Sequence, residues 1–333
     1  MMQQTLLEAV HDALELEMAR DTRIVVFGED VGKKGGVFLA THGLQERFGN
    51  TRVFNTPLAE SSIVGCAIGM ALGGLIPVAE IQFADFIHPA FNQIVSEAAR
   101  MRYRSNGTFG VPMVIRTPYG GGVHGGLHHS QSIEVFYAHV PGLKVVVPRD
   151  SYTAKGLLAS AIRDPDPVIF LEPKKIYRAK DPFIYKEVCK DAYTLPLGNA
   201  EVIQEGADVT VIAYGAMLFE CWKATQTLAK EISIEIIDLQ TLRPLDATTV
   251  LQSVQKTGRA LVVHEDNMFC GYGAEIAAEI SEDPDTFTSL AAPIVRLAAP
   301  EVPAAPYSKA LEEAFMPNAE KIVRAIKELA YWK

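Results

Sequence analysis

The stretch Pro57-Leu58-Ala59-Glu60-Ser61-Ser62-Ile63-Val64-Gly65-Cys66-Ala67-Ile68-Gly69 decides how this chain reads. A carboxylate stands at the mouth of an apolar run, with glycines five and nine residues later. Ser61 or Ser62 suits a helix cap, because a hydroxyl there can accept one of the first unpaired backbone amides. Gly65, Gly69 and Gly73 then share one helical face and let another backbone come close. The expectation is one acid at the edge of a tightly packed apolar site. The plainer alternative is a helix with small packing residues and an incidental acid.

Outward from this stretch, apolar runs alternate with amphipathic ones. Before position 180, strands are expected over 24–27, 77–81, 111–116, 145–147 and 167–171. Helices are expected over 5–20, 61–73, 88–104 and 151–163. A mixed polar stretch, 181–197, carries Pro182 and Pro196, shows no period and reads as a linker. Strands over 209–214, 234–239, 260–263 and 293–297 follow, with helices over 217–230, 246–256, 271–281 and 317–331. The fold class is therefore α/β, with two parallel-sheet domains at 1–180 and 198–333. Ligands of such sheets bind at the carboxyl ends of strands. Glu29, Glu60, the loop 118–130 and His264 are expected at or just beyond such ends.

Composition narrows the function classes. The 333 residues carry a net charge of −9 and 48% hydrophobic residues, ample for two cores. The negative balance argues against a nucleic acid as main partner. The four cysteines, at 66, 189, 221 and 270, lack metal or redox spacing, so a reducing, cytoplasmic setting is expected. The polar start reads as no signal peptide, and no run approaches membrane length.

Two further stretches carry chemistry. Tyr119-Gly120-Gly121-Gly122-Val123-His124-Gly125-Gly126-Leu127-His128-His129-Ser130-Gln131 combines five glycines with three histidines that can exchange protons near neutral pH. Zinc is disfavoured there, because the glycines work against a helix aligning His124 with His128 and no cysteine is near. A phosphate loop lacks its Gly-Lys-Ser/Thr pattern, and a plain flexible loop is the bland alternative. In Glu80-Ile81-Gln82-Phe83-Ala84-Asp85-Phe86, Gln82 can hydrogen-bond a heteroaromatic edge and Phe86 can stack on its face, although a phenylalanine is more often simply core.

Together these stretches resemble the beta subunit of the E1 component of 2-oxo acid dehydrogenase complexes. Thr56-Pro57-Leu58-Ala59-Glu60, Glu80-Ile81-Gln82-Phe83, His129-Ser130-Gln131, Asp164-Pro165-Asp166-Pro167 and Thr241-Leu242-Arg243-Pro244 all carry the likeness, which runs through nearly the whole chain. Gln240 departs from the arginine usual in relatives. The resemblance implies a transketolase-like pyrimidine-binding domain and a transketolase C-terminal-type domain. It implies thiamine diphosphate as cofactor, with Glu60 bonded to N1′ of the aminopyrimidine, Gln82 and Phe86 along the same ring, and Glu29 as a supporting acid. His129, and less directly His128, would face the substrate side and serve proton transfer or acyl transfer to a lipoyl group.

What is missing matters equally. Thiamine diphosphate enzymes hold the diphosphate through magnesium with a Gly-Asp-Gly motif, and none occurs here. The resemblance accordingly implies an E1 alpha subunit that holds Mg2+ in an α2β2 heterotetramer, and an E2 dihydrolipoyl acyltransferase as acceptor. A potassium site is implied near Ala161, Asp164 and Asp166. The segments 82–85 and 126–131 look closer to branched-chain enzymes. A pyruvate or acetoin dehydrogenase beta subunit, half of a split transketolase-like enzyme, and a non-catalytic scaffold docking the acyltransferase core are the alternatives.

Overall fold

The computed structural model describes residues 1–332. Two compact units emerge. The first comprises Met1–Tyr119 and Phe136–Leu197, and the second comprises Gly120–Val135 and the chain from Gly198 onward.

The first unit is built on a parallel sheet. Strand Ile24–Gly28 lies between Val53–Asn55 and Ile76–Glu80. Val114–Tyr119, Val168–Pro173 and Lys144–Val146 then follow in that spatial order, each parallel to its neighbour. The strands 24–28, 76–80, 114–119 and 168–173 are buried at every position. That is the signature of a sheet covered on both faces, and it explains why these strands read as unbroken apolar runs.

Helix Leu6–Arg20 starts at a reciprocal cap. The Glu8 amide donates to the Thr5 hydroxyl at 3.3 Å, and the Thr5 amide donates to Glu8 at 2.7 Å. This helix packs on Ser151–Arg163. Two ion pairs join them, Arg163 to Glu17 at 2.6 Å and Lys155 to Asp12 at 2.7 Å. Within 181–197, Lys186–Val188 pairs antiparallel with Met2–Gln4.

The second unit holds a five-stranded sheet in the order Val295–Ala299, Ala260–Asn267, Val209–Ala213, Ile234–Asp238, Glu201–Gln204. Only Glu201–Gln204 runs antiparallel. Helix Ala319–Ala330 buries Ile322, Ile326 and Leu329, residues three and four apart that line one helical stripe.

Three expectations need correction. The segment 88–104 is not one helix. It breaks into a 3₁₀ turn at His88–Ala90, a π-helical stretch at Gln93–Ala98 and a short α-turn at Met101–Arg104. Pro89 lacks an amide hydrogen, so it suits the start of a turn and not the interior of a long helix. Helix Glu60–Leu72 starts one residue before the expected 61–73, with Ala59 and not Ser61 or Ser62 at its cap and no side-chain hydrogen bond there. His264 lies inside strand Ala260–Asn267, short of its end.

Candidate active site

In the first unit the expected acids converge at the ends of two neighbouring parallel strands. Gly28 is in register with Glu80 and adopts φ +153°. A Cβ at Gly28 would come within 2.4 Å of the Glu80 carbonyl oxygen, so only glycine allows this approach. The Thr56 amide donates to the Gly28 carbonyl at 2.9 Å and extends the pairing of Gly28 with Asn55 to the end of the strand. Glu60 then opens its helix half-buried, where the helix dipole favours an acidic side chain. Glu29, also half-buried, has its pKa raised first by burial, then by Asp30, then by Glu60. Glu29 therefore feels the charge of Glu60. Gln82 and Phe86 follow the adjacent strand Ile76–Glu80 and are both half-buried. The Phe86 ring meets Phe83 edge-on, with centroids 5.9 Å apart.

Beneath these strand ends lies a buried polar network that the sequence does not single out. Arg116 Nε donates to Glu172 Oε1 at 2.8 Å, and Nη2 donates to Oε2 at 2.9 Å. Arg116 Nη1 also donates to Glu80, and the Tyr177 hydroxyl donates to Glu172. All four residues are buried. Burial opposes the guanidinium charge, but Glu172 and Glu80 outweigh it and keep Arg116 more basic than usual. One cation thus serves two acids, and Glu80 is the one whose pKa burial raises more than Arg116 lowers it. A charged residue in each of three fully buried strands is the one signal of this network in the sequence.

The turn expected to hold potassium also lies in the first unit. The Asp164 amide donates to the Ala161 carbonyl at 3.3 Å. Lys144 pairs with Asp164 at 2.6 Å and Arg102 with Asp166 at 2.6 Å, so both carboxylates already hold cationic side chains. Among the described residues no group of three or more histidine, cysteine, aspartate or glutamate side chains could hold a metal ion.

The histidine-bearing loop groups with the second unit. Its neck is closed by the Gly120 amide donating to the Gln131 carbonyl at 2.9 Å. His128 ends the 3₁₀ turn Gly126–His128 and is exposed, while His129 is half-buried. The Gly121 amide donates to Glu265 at 3.0 Å. Just past the loop, Glu134 is fully buried and accepts from the Tyr214 hydroxyl at 2.7 Å. Burial, helped by Asp266, pushes the Glu134 carboxyl up to about 8. His264 is packed against Gly271 and Gly273, and burial, with Arg296, pushes it down to about 4. A neutral, enclosed His264 serves packing better than proton exchange near neutral pH.

Comparison with known proteins decides the family. The transketolase pyrimidine-binding domain matches residues 2–180 and the transketolase C-terminal domain matches residues 198–322. The chain is 51% identical to the 2-oxoisovalerate dehydrogenase subunit beta of Bacillus subtilis, covering 97% of this chain and 98% of that one. It is 49% identical to the pyruvate dehydrogenase E1 component subunit beta of Acholeplasma laidlawii, covering 98% of each. The chain belongs to the E1 beta subunits of 2-oxo acid dehydrogenases. Its family depends on thiamine diphosphate. Among solved structures, this E1 beta chain matches a split-gene transketolase, described as an inactive beta4 tetramer, at TM-score 0.76 and 25% identity over 98% of each chain. No helix among the described residues is long and apolar enough to cross a membrane.

Proposed function

We propose that this chain supplies the aminopyrimidine-binding acid and the substrate-side histidine of a branched-chain 2-oxo acid dehydrogenase, acting with an E1 alpha subunit in an α2β2 assembly and delivering acyl groups to a lipoyl-bearing E2. The observation that carries this reading is the placement of Glu29 and Glu60 beyond the ends of the adjacent parallel strands Ile24–Gly28 and Val53–Asn55, with the charge of Glu60 helping to raise the Glu29 pKa. In this reading residues 1–180 bind the pyrimidine ring, and 198–333 form the C-terminal-type domain beyond the linker 181–197.

The residues present fit the aminopyrimidine half of thiamine diphosphate. Glu60 is half-buried on a helix start, close enough to Glu29 for their charges to interact. Bound there, the cofactor supplies a carbon nucleophile and an electron sink for decarboxylation. Glu60 shares a proton with N1′ of the ring, and Glu29, whose pKa is raised by burial, by Asp30 and by Glu60, stands near it as a supporting acid. The Gln82 amide orients the ring edge and Phe86 covers its face. His129 moves a proton on the acyl-acceptor side, and His128 lies one residue away on the exposed part of the same loop. This chain carries no Gly-Asp-Gly, and in this reading the diphosphate and Mg2+ are held by the alpha subunit. Potassium, if held at 161–166, would rely on the Ala161 carbonyl.

The glycine face of helix Glu60–Leu72 supports an obligate partner. Gly65 and Gly69 are exposed, and a Cβ at Gly69 would meet nothing within 4 Å. The branched-chain choice is supported by the Bacillus relative, and the pyruvate alternative by the Acholeplasma relative at nearly equal identity. The deciding test reconstitutes the chain with its alpha subunit and compares kcat/KM for 2-oxoisovalerate, 2-oxobutyrate and pyruvate. Each well-packed methyl-sized group is worth about 1–3 kcal/mol, or roughly 10–200-fold. If pyruvate wins by roughly tenfold or more, the pyruvate reading replaces the branched-chain one. A scaffold reading requires Glu60→Gln to leave decarboxylation unchanged.

A further inference from the structure

The histidine-bearing loop is costly to order. Gly120, Gly122 and Gly126 all adopt positive φ, and His124 sits at φ +56°, a region that disfavours residues with a Cβ. Something must hold the loop, and the tie comes from a short helix near the far end of the chain. Glu312, on helix Lys309–Phe315, is only 3% exposed. Its Oε1 accepts from the Gly122 amide at 2.9 Å and from the His124 amide at 3.2 Å. Its Oε2 lies 2.7 Å from His124 Nδ1.

The flanks of the same segment also touch the loop. A Cβ at Gly121 would come 2.9 Å from Met316 Sδ, and one at Gly126 would come 3.2 Å from the Tyr307 ring. A buried carboxylate is expensive unless its oxygens are hydrogen-bonded, and here the bonds run to the loop backbone. Carboxylate and loop thus stabilise each other.

We propose that Glu312 is a positioning residue, acting through the backbone amides of Gly122 and His124 to hold loop 120–131 in the conformation from which His129 works. This rests on the reading above that His129 serves acyl transfer. Glu312 itself touches neither substrate nor cofactor. Its removal lets the loop sample the many conformations its glycines allow, so the step that needs a placed histidine slows while the fold persists.

The test uses the enzyme assembled with its alpha subunit and compares wild type, Glu312→Ala, Glu312→Gln and His129→Ala. Hydrogen exchange of the peptide covering 120–127 reports the loop. Decarboxylation with an artificial electron acceptor and acylation of a free lipoyl domain are measured separately. In Glu312→Ala, exchange of that peptide rises and kcat for lipoyl acylation falls roughly 10–100-fold, as expected when a reacting group is misplaced. Tm stays within about 4 °C, because the change is confined to one loop. Glutamine keeps an oxygen that can accept from both amides, so Glu312→Gln restores exchange protection and brings acylation to within about threefold of wild type. Unchanged exchange in Glu312→Ala overturns the proposal. So does raised exchange without slower acylation, and so does a failure of glutamine to rescue. His129→Ala tests the underlying reading independently: if it acylates normally, the role of His129 falls whatever Glu312 does to the loop.

Discussion

Arg116 and Glu172 meet as a two-pronged pair inside the first unit, at 2.8 and 2.9 Å, with the arginine side chain 1% exposed and the glutamate fully buried. The planar guanidinium matches both carboxylate oxygens, and its remaining edge reaches Glu80. The pair joins strands Val114–Tyr119 and Val168–Pro173.

Removing the cation should therefore be severe. Arg116→Met leaves two carboxylates buried without compensation. The expected loss is about 3–5 kcal/mol, typical when one partner of a buried pair is deleted. Arg116→Lys should also destabilise, since an ammonium cannot serve both oxygens of Glu172 and Glu80 in the same geometry. Urea unfolding of the assembled enzyme measures both variants. A loss below about 1 kcal/mol for the methionine variant, the size of a weak surface pair, would show the network to be dispensable.

Glu60→Gln in the assembled enzyme is expected to lower decarboxylation by roughly 10²–10⁴-fold, the usual cost of losing a specific proton-transfer group. Glutamine fills the same space but cannot share a proton with a ring nitrogen in the same way. Steady-state assay with an artificial electron acceptor decides the matter, with circular dichroism as a check on the fold. A variant within about threefold of wild type contradicts the role.

Glu134 makes stability depend on pH. Its folded pKa is about 8 against an ordinary 4.5, so the folded state binds its proton more tightly than the unfolded state does. Its contribution is fully present below about 4.5 and is lost as pH rises through about 8. Asp266, pushed up to about 6 by burial, adds in the same direction over a lower window. Glu134→Gln keeps an acceptor for the Tyr214 hydroxyl and abolishes the titration. The variant should gain stability relative to wild type as pH goes from 5 to 8. Parallel stability curves for the two proteins would dismiss the effect.

The chain alone should bind thiamine diphosphate with magnesium weakly, because it carries no Gly-Asp-Gly motif to hold a metal-bridged diphosphate. Calorimetric titration of the purified chain tests this. Micromolar binding without an alpha subunit would show that this chain builds a diphosphate clamp of its own.

Much of this molecule is legible in its amino-acid order. Apolar runs such as Ile24-Val25-Val26-Phe27 and Val209-Thr210-Val211-Ile212 form buried parallel strands, because a strand covered on both faces has no reason to alternate. The acid at the start of the glycine-spaced helix is legible because Glu60 and that helix are contiguous in the chain. The break-up of 88–104 is less so. Its residues have helical character, and only Pro89 marks the interruption.

What sequence alone determined is the set of local features: which segments are mostly strand or helix, that the two main sheets are largely parallel, and where the acids and histidines lie along the chain. Tertiary structure decided which of them meet. Arg116 finds Glu80 and Glu172 across 36 and 56 residues, and His124 finds Glu312 across 188. A hydrophobic pattern reports only whether a side chain faces core or water. Pairing between distant polar groups depends on strand order, register and the path of the returning chain, and no local period encodes these.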